Sequence, residues 1–201
     1  MIHAIITFGE YLYPPTSSEA ASTIAAWNRA FCYEYPINQQ DNAAGKPGIL
    51  IGRYPGDSYA GGNPWQLLTA AHAEVFYLGA SSWLDQVKRL GNMKTGEEHR
   101  EWRDLLYLGK IIMIDYSDIK GHFPDEDVTV LDLAEAASSA GDAVMTRLWE
   151  YVKGDGGRID EQIDKNTGAQ TSAAALTWSY ANILHALHTR KQVVAKLTSL
   201  L

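Results

Sequence analysis

The alternation of apolar and polar positions predicts five helices and no convincing set of strands. The helices span about 17–34, 64–90, 96–116, 128–152 and 173–190. Thr16 with Glu19, and Thr95 with Glu98, fit capping boxes, in which a hydroxyl and a carboxylate satisfy free backbone N–H groups reciprocally. Asn63 followed by Pro64 suits the start of the second helix, since the N–H that Pro lacks has no partner there, and Gly91 suits its end. Asp127 and Ser172 are the expected caps of the fourth and fifth. In the fifth, Leu176, Ile183, Leu184 and Leu187 fall near helical spacing.

Two connections are long. Residues 35–63 hold Pro36, Pro47, Pro55 and several glycines, and residues 153–171 read KGDGGRIDEQIDKNTGAQT. Long loops in a compact domain are more often functional than short ones. There is no internal repeat and no low-complexity tract. The expected class is all-α, with two loops rich in polar and aromatic groups.

Composition narrows the chemistry. The 201 residues are enough for one domain with a real core. A formal net charge of −7 argues against a nucleic-acid partner, since phosphate binding needs a basic surface. No run of 18 apolar residues offers itself as a membrane-spanning helix. The single cysteine, Cys32, excludes an intramolecular disulfide and reads as a small buried hydrophobe. His72, His99, His122, His185 and His188 show no metal-ligand spacing, and the last two read as a solvated helix end. The acids at 155, 160 and 164 miss the ligand spacing of an EF-hand loop. No metal and no cofactor is expected. The N-terminus, MIHAIITFGEYLYPP, lacks the basic and long apolar regions of a signal peptide.

At 52–65 the chain reads GRYPGDSYAGGNPW, and at 160–180 it reads DEQIDKNTGAQTSAAALTWSY. Both segments, in this order, resemble signature regions of fungal-type glucoamylases of glycoside hydrolase family 15, which run roughly GRYPEDxYxxGNPW and SEQxDxxxGxxLSAxDLTWSY. AEVFY at 73–77 is similar to a family AEQLY, and IHAIITF at 2–8 is weakly similar to a family SIHTF. The resemblance covers nearly the whole chain, with 83–153 diverged. It implies a partial (α/α)6 barrel, a toroid of six helical hairpins, of which residues 1–201 are roughly the C-terminal half of a single catalytic domain, without a separate starch-binding module. The helices entered from NPW and from LTW are then inner ones. The helix at 96–116 is the extra one between them, expected outside the barrel proper.

The activity implied is inverting, exo-acting hydrolysis of α-1,4-glucosidic bonds, releasing β-glucose from the non-reducing ends of starch-like glucans or malto-oligosaccharides. Inversion needs two carboxyl groups about 6.5–9.5 Å apart, one protonating the leaving oxygen and one activating water. The resemblance assigns the base to Glu161. Read from composition alone, DEQID is a solvated acidic loop, and the TG and LTWSY context is what favours the base. The family acid lies in a segment like DLWEEV, which has no match here. Leu148-Trp149-Glu150-Tyr151 is the closest text and reads as ordinary helix.

Arg53 is the implied substrate anchor, its guanidinium fork suited to adjacent sugar hydroxyls. A plain pairing with Asp57 is the other reading, and Asp57 is also placed to orient Arg53 or Tyr54. Trp65 and Trp178 suit the apolar face of a glucose ring or the core, with Tyr54 and Tyr59 as further lining residues. Gly56 stands where the family has Glu, and Ala175 where it has Asp. Three functions remain open: a glucan hydrolase or part of one, a remnant with weak or no sugar binding, and an unrelated helical scaffold. The resemblance implies secretion, and a missing N-terminal half of the domain as partner.

Overall fold

One helix is buried almost all round, and the others are arranged about it. In the computed structural model, which describes residues 13–107 and 127–200, the chain forms α1 (Ser18–Glu34), α2 (Pro36–Ala43), α3 (Gln66–Leu90) and α4 (Arg100–Tyr107). It continues through α5 (Val130–Val152), the two-residue strands β1 (Gln162–Ile163) and β2 (Gln170–Thr171), and α6 (Thr177–Leu200). In α3 every residue from Thr69 to Tyr77 is buried. A helix without a polar face belongs at the centre of a packed layer.

Helices α5 and α6 make the most extensive contacts with α3. α6 buries only Ser179, Ala186, Thr189 and Val193, small side chains that allow close approach. Polar pairs fix the direction. Asn182 Nδ2 donates to the Leu67 carbonyl at 3.2 Å, Thr189 Oγ1 to Glu74 at 3.3 Å, and Lys196 Nζ to Ser81 Oγ at 2.8 Å. All three pairs are 115 positions apart, so α3 and α6 run parallel and in register. α5 runs back between them in sequence. Its N-terminus meets the end of α3 through the Lys94–Thr129 bridge, and Asp142 near its middle accepts from Tyr77 Oη at 2.7 Å. Buried Glu74 also meets His185, and burial pushes its carboxyl above the ordinary range.

Several local expectations are corrected. Ser17, not Thr16, caps α1, its side chain accepting from the Ala20 amide at 3.2 Å. Thr129, not Asp127, caps α5, completing a capping box with Asp132. Each hydroxyl stands one turn before the third helical amide, which is the geometry a cap needs. The residue at the α3 cap position is Trp65, while Asn63 is engaged elsewhere, and α6 opens at Thr177 rather than beside Ser172. α6 also runs ten residues past the expected 190. The connection 35–63 contains α2, which starts on Pro36 at a position where its missing N–H costs nothing.

The third expected helix is a 3₁₀ turn at Glu97–His99 leading into α4, which buries Trp102, Leu105 and Leu106. Trp102 packs edge-on against Trp83 at 5.1 Å and donates its indole N–H to the Ser17 carbonyl at 3.0 Å, so α4 is tied to both α3 and α1. Residues 108–116, His122 and the 2–8 stretch lie outside the described residues. Cys32 is partly buried and its sulfur accepts from Asn42 Nδ2 at 3.1 Å. His185 is not simply solvated, because Glu74 takes it as a partner.

The core side of α3 carries a buried histidine. His72 meets Asn28 Oδ1 through Nε2 at 2.8 Å and packs edge-on against Phe76. Burial pushes its pKa down to about 3, so the folded ring is neutral. The unfolded chain binds a proton here from about pH 6.5 downward. His72 therefore leaves stability intact above that pH and removes it as pH falls towards 3, at no more than about 1.4 kcal/mol per pH unit. Urea unfolding across this window is expected to show His72→Gln with a shallower pH slope than the parent, by about one proton. Identical slopes would show that His72 is not the group responsible.

Candidate active site

The segment leading to the first loop is held inside the core. Ile49, Leu50 and Ile51 are buried, and Asn38 brackets Leu50 by accepting its amide at 3.0 Å and donating to its carbonyl at 2.8 Å. Gly52 then lies against the Tyr35 hydroxyl, where any Cβ would overlap it. The chain turns sharply over 53–62. At Gly62 the backbone is left-handed, with φ 60°, and a Cβ would overlap the Asp57 carbonyl oxygen.

This turn folds Arg53 onto Asp57. Arg53 Nε and Nη2 donate to the two carboxylate oxygens at 2.7 and 2.8 Å. Asp57 is buried, also accepts from the Tyr59 amide at 3.0 Å, and its carboxyl is held below the usual range chiefly by the Arg53 hydrogen bonds. The same bonds raise the Arg53 pKa. The guanidinium carbon lies 5.6, 5.0 and 5.3 Å from the ring centres of Tyr54, Tyr59 and Trp65, a cation among three aromatic groups. The Arg53 side chain stays 29% exposed, and both Tyr rings are exposed. At Gly56, where the resemblance leads one to expect a carboxylate, Glu34 supplies one from the end of α1: both its oxygens lie 2.9 Å from the Gly56 amide.

The second loop is a hairpin. β1 and β2 pair antiparallel, Gln162 opposite Thr171 and Ile163 opposite Gln170. Glu161 donates its amide to the Ala173 carbonyl at 2.9 Å, and its carboxylate accepts from Ser172 Oγ and from Gln162 Nε2, the latter at 3.2 Å. Two non-glycine residues that follow the return strand, Ser172 and Ala175, have positive φ. Asp164 closes the hairpin tip, accepting from the amides of Asn166 and Thr167 at 3.0 and 2.8 Å, and these bonds lower its pKa. Asp164 is thus committed to a turn.

The two loops are joined through the main chain. Trp65 pairs antiparallel with Gln162 as an isolated bridge, Gln66 N–H donates to the Glu161 carbonyl at 3.1 Å, and Ile163 N–H to the Pro64 carbonyl at 3.0 Å. Asn63 and Gln66 add side-chain ties. Asn63 donates to Gln162 Oε1 at 3.1 Å and accepts from the Lys165 amide at 3.2 Å, and Gln66 donates to Gln170 Oε1 at 2.8 Å. Arg53, Tyr54, Asp57, Tyr59 and Trp65 thus form one cluster, and Glu161 immediately precedes the strand that Trp65 pairs with. Trp178 begins α6 directly after the hairpin and is 54% exposed. Sequence reading missed Glu34, Asn63 as a tie, Gln66 and Gln170; the N of NPW and the Q following it were the available signals. Among the described residues no cluster of three or more His, Cys, Asp or Glu side chains is placed to hold a metal ion.

Asn63→Ala leaves Gln162 Oε1 and the Lys165 amide without their partner. It is expected to cost about 1–3 kcal/mol in denaturant unfolding. Faster hydrogen exchange at the Lys165 amide than in the parent is the accompanying sign. An unchanged Lys165 amide would show that the loops do not depend on this tie.

The model of the family described as "Glycosyl hydrolases family 15" matches residues 4–188. Glucoamylase-1 of Schizophyllum commune is 33% identical over 178 residues, covering 89% of this chain and 28% of that protein. An intracellular, sporulation-specific glucoamylase of Saccharomyces cerevisiae is 29% identical over 175 residues, covering 81% and 30%. The solved family 15 glucoamylase from Hypocrea jecorina superposes with a TM-score of 0.68 at 29% identity over 89% of this chain and 27% of its own, and the glucoamylase of Hormoconis resinae with 0.64 at 27% identity over 88% and 28%. The chain therefore spans under a third of the length of these relatives. Its all-α architecture, with α3 and α6 parallel and α5 returning between them, is a portion of an (α/α)6 barrel. The chain belongs to glycosyl hydrolase family 15.

Proposed function

We propose that this chain contributes the base side of an inverting, exo-acting glucoamylase site that releases β-glucose from the non-reducing ends of starch-like glucans. The observation that carries the reading is the pairing of the Trp65 segment with β1, which joins the loop of the Arg53 cluster to the segment that carries Glu161. In this reading Glu161 is the general base, held by Ser172 and Gln162 so that it presents an oxygen to water. Asp57 takes Nε and Nη2 of Arg53, and Nη1, outside that fork, is the nitrogen offered to sugar hydroxyls. Trp65 and Trp178 supply flat apolar faces, with Tyr54 and Tyr59 at the rim.

The general acid has no counterpart in the described residues: Trp149 and Glu150 lie near the end of α5, and Glu150 is paired with Lys153 at 2.7 Å. The acid, in this proposal, comes from barrel helices outside these 201 residues. Those helices would cover the outward face of α6, where Leu184, Leu187 and Val194 are exposed, and the groove between α5 and α6 that contains Trp149. Secretion is the location we propose with a starch substrate, and the intracellular relative in Saccharomyces cerevisiae marks the alternative.

The test has two arms. The 201-residue chain incubated with maltose is expected to release glucose at no more than background. Joined to a family 15 N-terminal segment that carries the acid, it is expected to release the β anomer. There Glu161→Gln is expected to lower turnover by about 10²–10⁴-fold while sugar affinity stays nearly constant. Rapid β-glucose release by the isolated chain would return attention to Glu150, and a Gln variant with normal turnover would remove Glu161 from the mechanism.

A further inference from the structure

The residue before Glu161 is a buried carboxylate with a full set of partners. The Asp160 side chain is 4% exposed, and Arg158, half-exposed, donates to it from Nε at 3.0 Å and Nη2 at 3.2 Å. The Ala175 amide, on the far side of the hairpin, donates to Asp160 Oδ1 at 3.0 Å. The Asp160 amide in turn donates to Gln170 Oε1 at 2.9 Å, the same oxygen that Gln66 reaches. Asp160 thus links the segment that enters the hairpin to the segment that leaves it.

Ala175 is the revealing partner. Its φ is 49°, in the left-handed region, where Ala is disfavoured and Asp and Asn are tolerated best. The signature SEQxDxxxGxxLSAxDLTWSY has Ser at the position of Asp160 and Asp at the position of Ala175. In this chain the two positions are reversed in character, with the carboxylate at 160 and none at 175. In this chain the Asp160 carboxylate reaches across the hairpin to the Ala175 amide. A buried carboxylate needs a counter-charge, and Arg158 two residues earlier provides it.

We propose that Asp160 is a positioning residue for Glu161. From the segment just before β1 it supplies the carboxylate that the signature carries at position 175, and it pins the left-handed Ala175 so that the 172–175 return keeps its contacts with Glu161. Those contacts are the Glu161 amide to the Ala173 carbonyl and the Ser172 hydroxyl to the Glu161 carboxylate. The proposal deepens the reading of Glu161 as the base, but its measurement uses no sugar. Failure of the catalytic reading and failure of this one are therefore separable.

The experiment is amide hydrogen exchange by NMR on the full chain, comparing Asp160→Ser, Ala175→Asp and the double exchange. In Asp160→Ser the amides of Ala175 and Glu161 are expected to exchange about tenfold faster, the loss of one hydrogen bond, while Ala71 and Val75 in α3 keep their protection. The double variant, with the carboxylate returned to position 175, is expected to restore the Glu161 amide to within about twofold of the parent. Ala175→Asp alone sets two carboxylates against one amide and is expected to lower protection at both sites. A merely structural role for Asp160 would loosen α3 as well and would not be rescued from position 175. Should Asp160→Ser not fold, Asp160→Asn with and without Ala175→Asp gives the same comparison. Unchanged Glu161 and Ala175 amides on losing the carboxylate, or no rescue in the double variant, would overturn the proposal.

Discussion

The site depends on one short piece of main-chain pairing. Between Pro64–Gln66 and Glu161–Ile163 two backbone hydrogen bonds and one antiparallel bridge join segments almost a hundred positions apart. The β1–β2 pair holds the second loop to itself but not to the first, and without a join each loop would be free to move independently. The pairing removes that freedom. Around it the buried amide side chains of Asn63 and Gln66 reach across to the opposite loop, so the join is costly to open. The Arg53 cluster and Glu161 inherit their relation from this contact rather than from any direct bond between them.

The helices below set the height of the two loops. Because α3 and α6 run parallel and in register, their N-termini lie at the same end, and each loop feeds directly into one of them. Small buried residues on α6 allow the close approach, and Asn182, Thr189 and Lys196 hold the register along its length. The same arrangement leaves the other side of α6 without cover, with Leu184 66% exposed and Trp149 of α5 55% exposed nearby. In the proposed reading this is the face that the remaining barrel helices cover.

Much of this was legible in the sequence. The helical periods of α1, α3 and α5 reflect one-sided or complete burial, and their extents follow the expectation closely. The two signature segments pointed to the two joined loops, because a Gly against Tyr35, an Asn shared between loops and an Asp locked to an Arg need those residue types at those positions. What escaped were contacts made across long separations. Ser172 reads as a helix cap in isolation, yet its hydroxyl goes to Glu161. His185 reads as solvated, yet it meets a buried Glu74 on another helix. Glu34 lies at the end of an ordinary helix, and only the fold brings it to the Gly56 amide. Local pattern cannot show a partner supplied by another element.

The central proposal is that the two loops form one sugar-binding surface. Its most direct test is an NMR titration of the chain with ¹⁵N-labelled tryptophan against maltotriose, following the indole N–H resonances. The account predicts that Trp65 and Trp178 shift together along one binding curve while the buried Trp83 and Trp102 stay still. Shifts confined to Trp149, or Trp65 and Trp178 moving with different affinities, would contradict it.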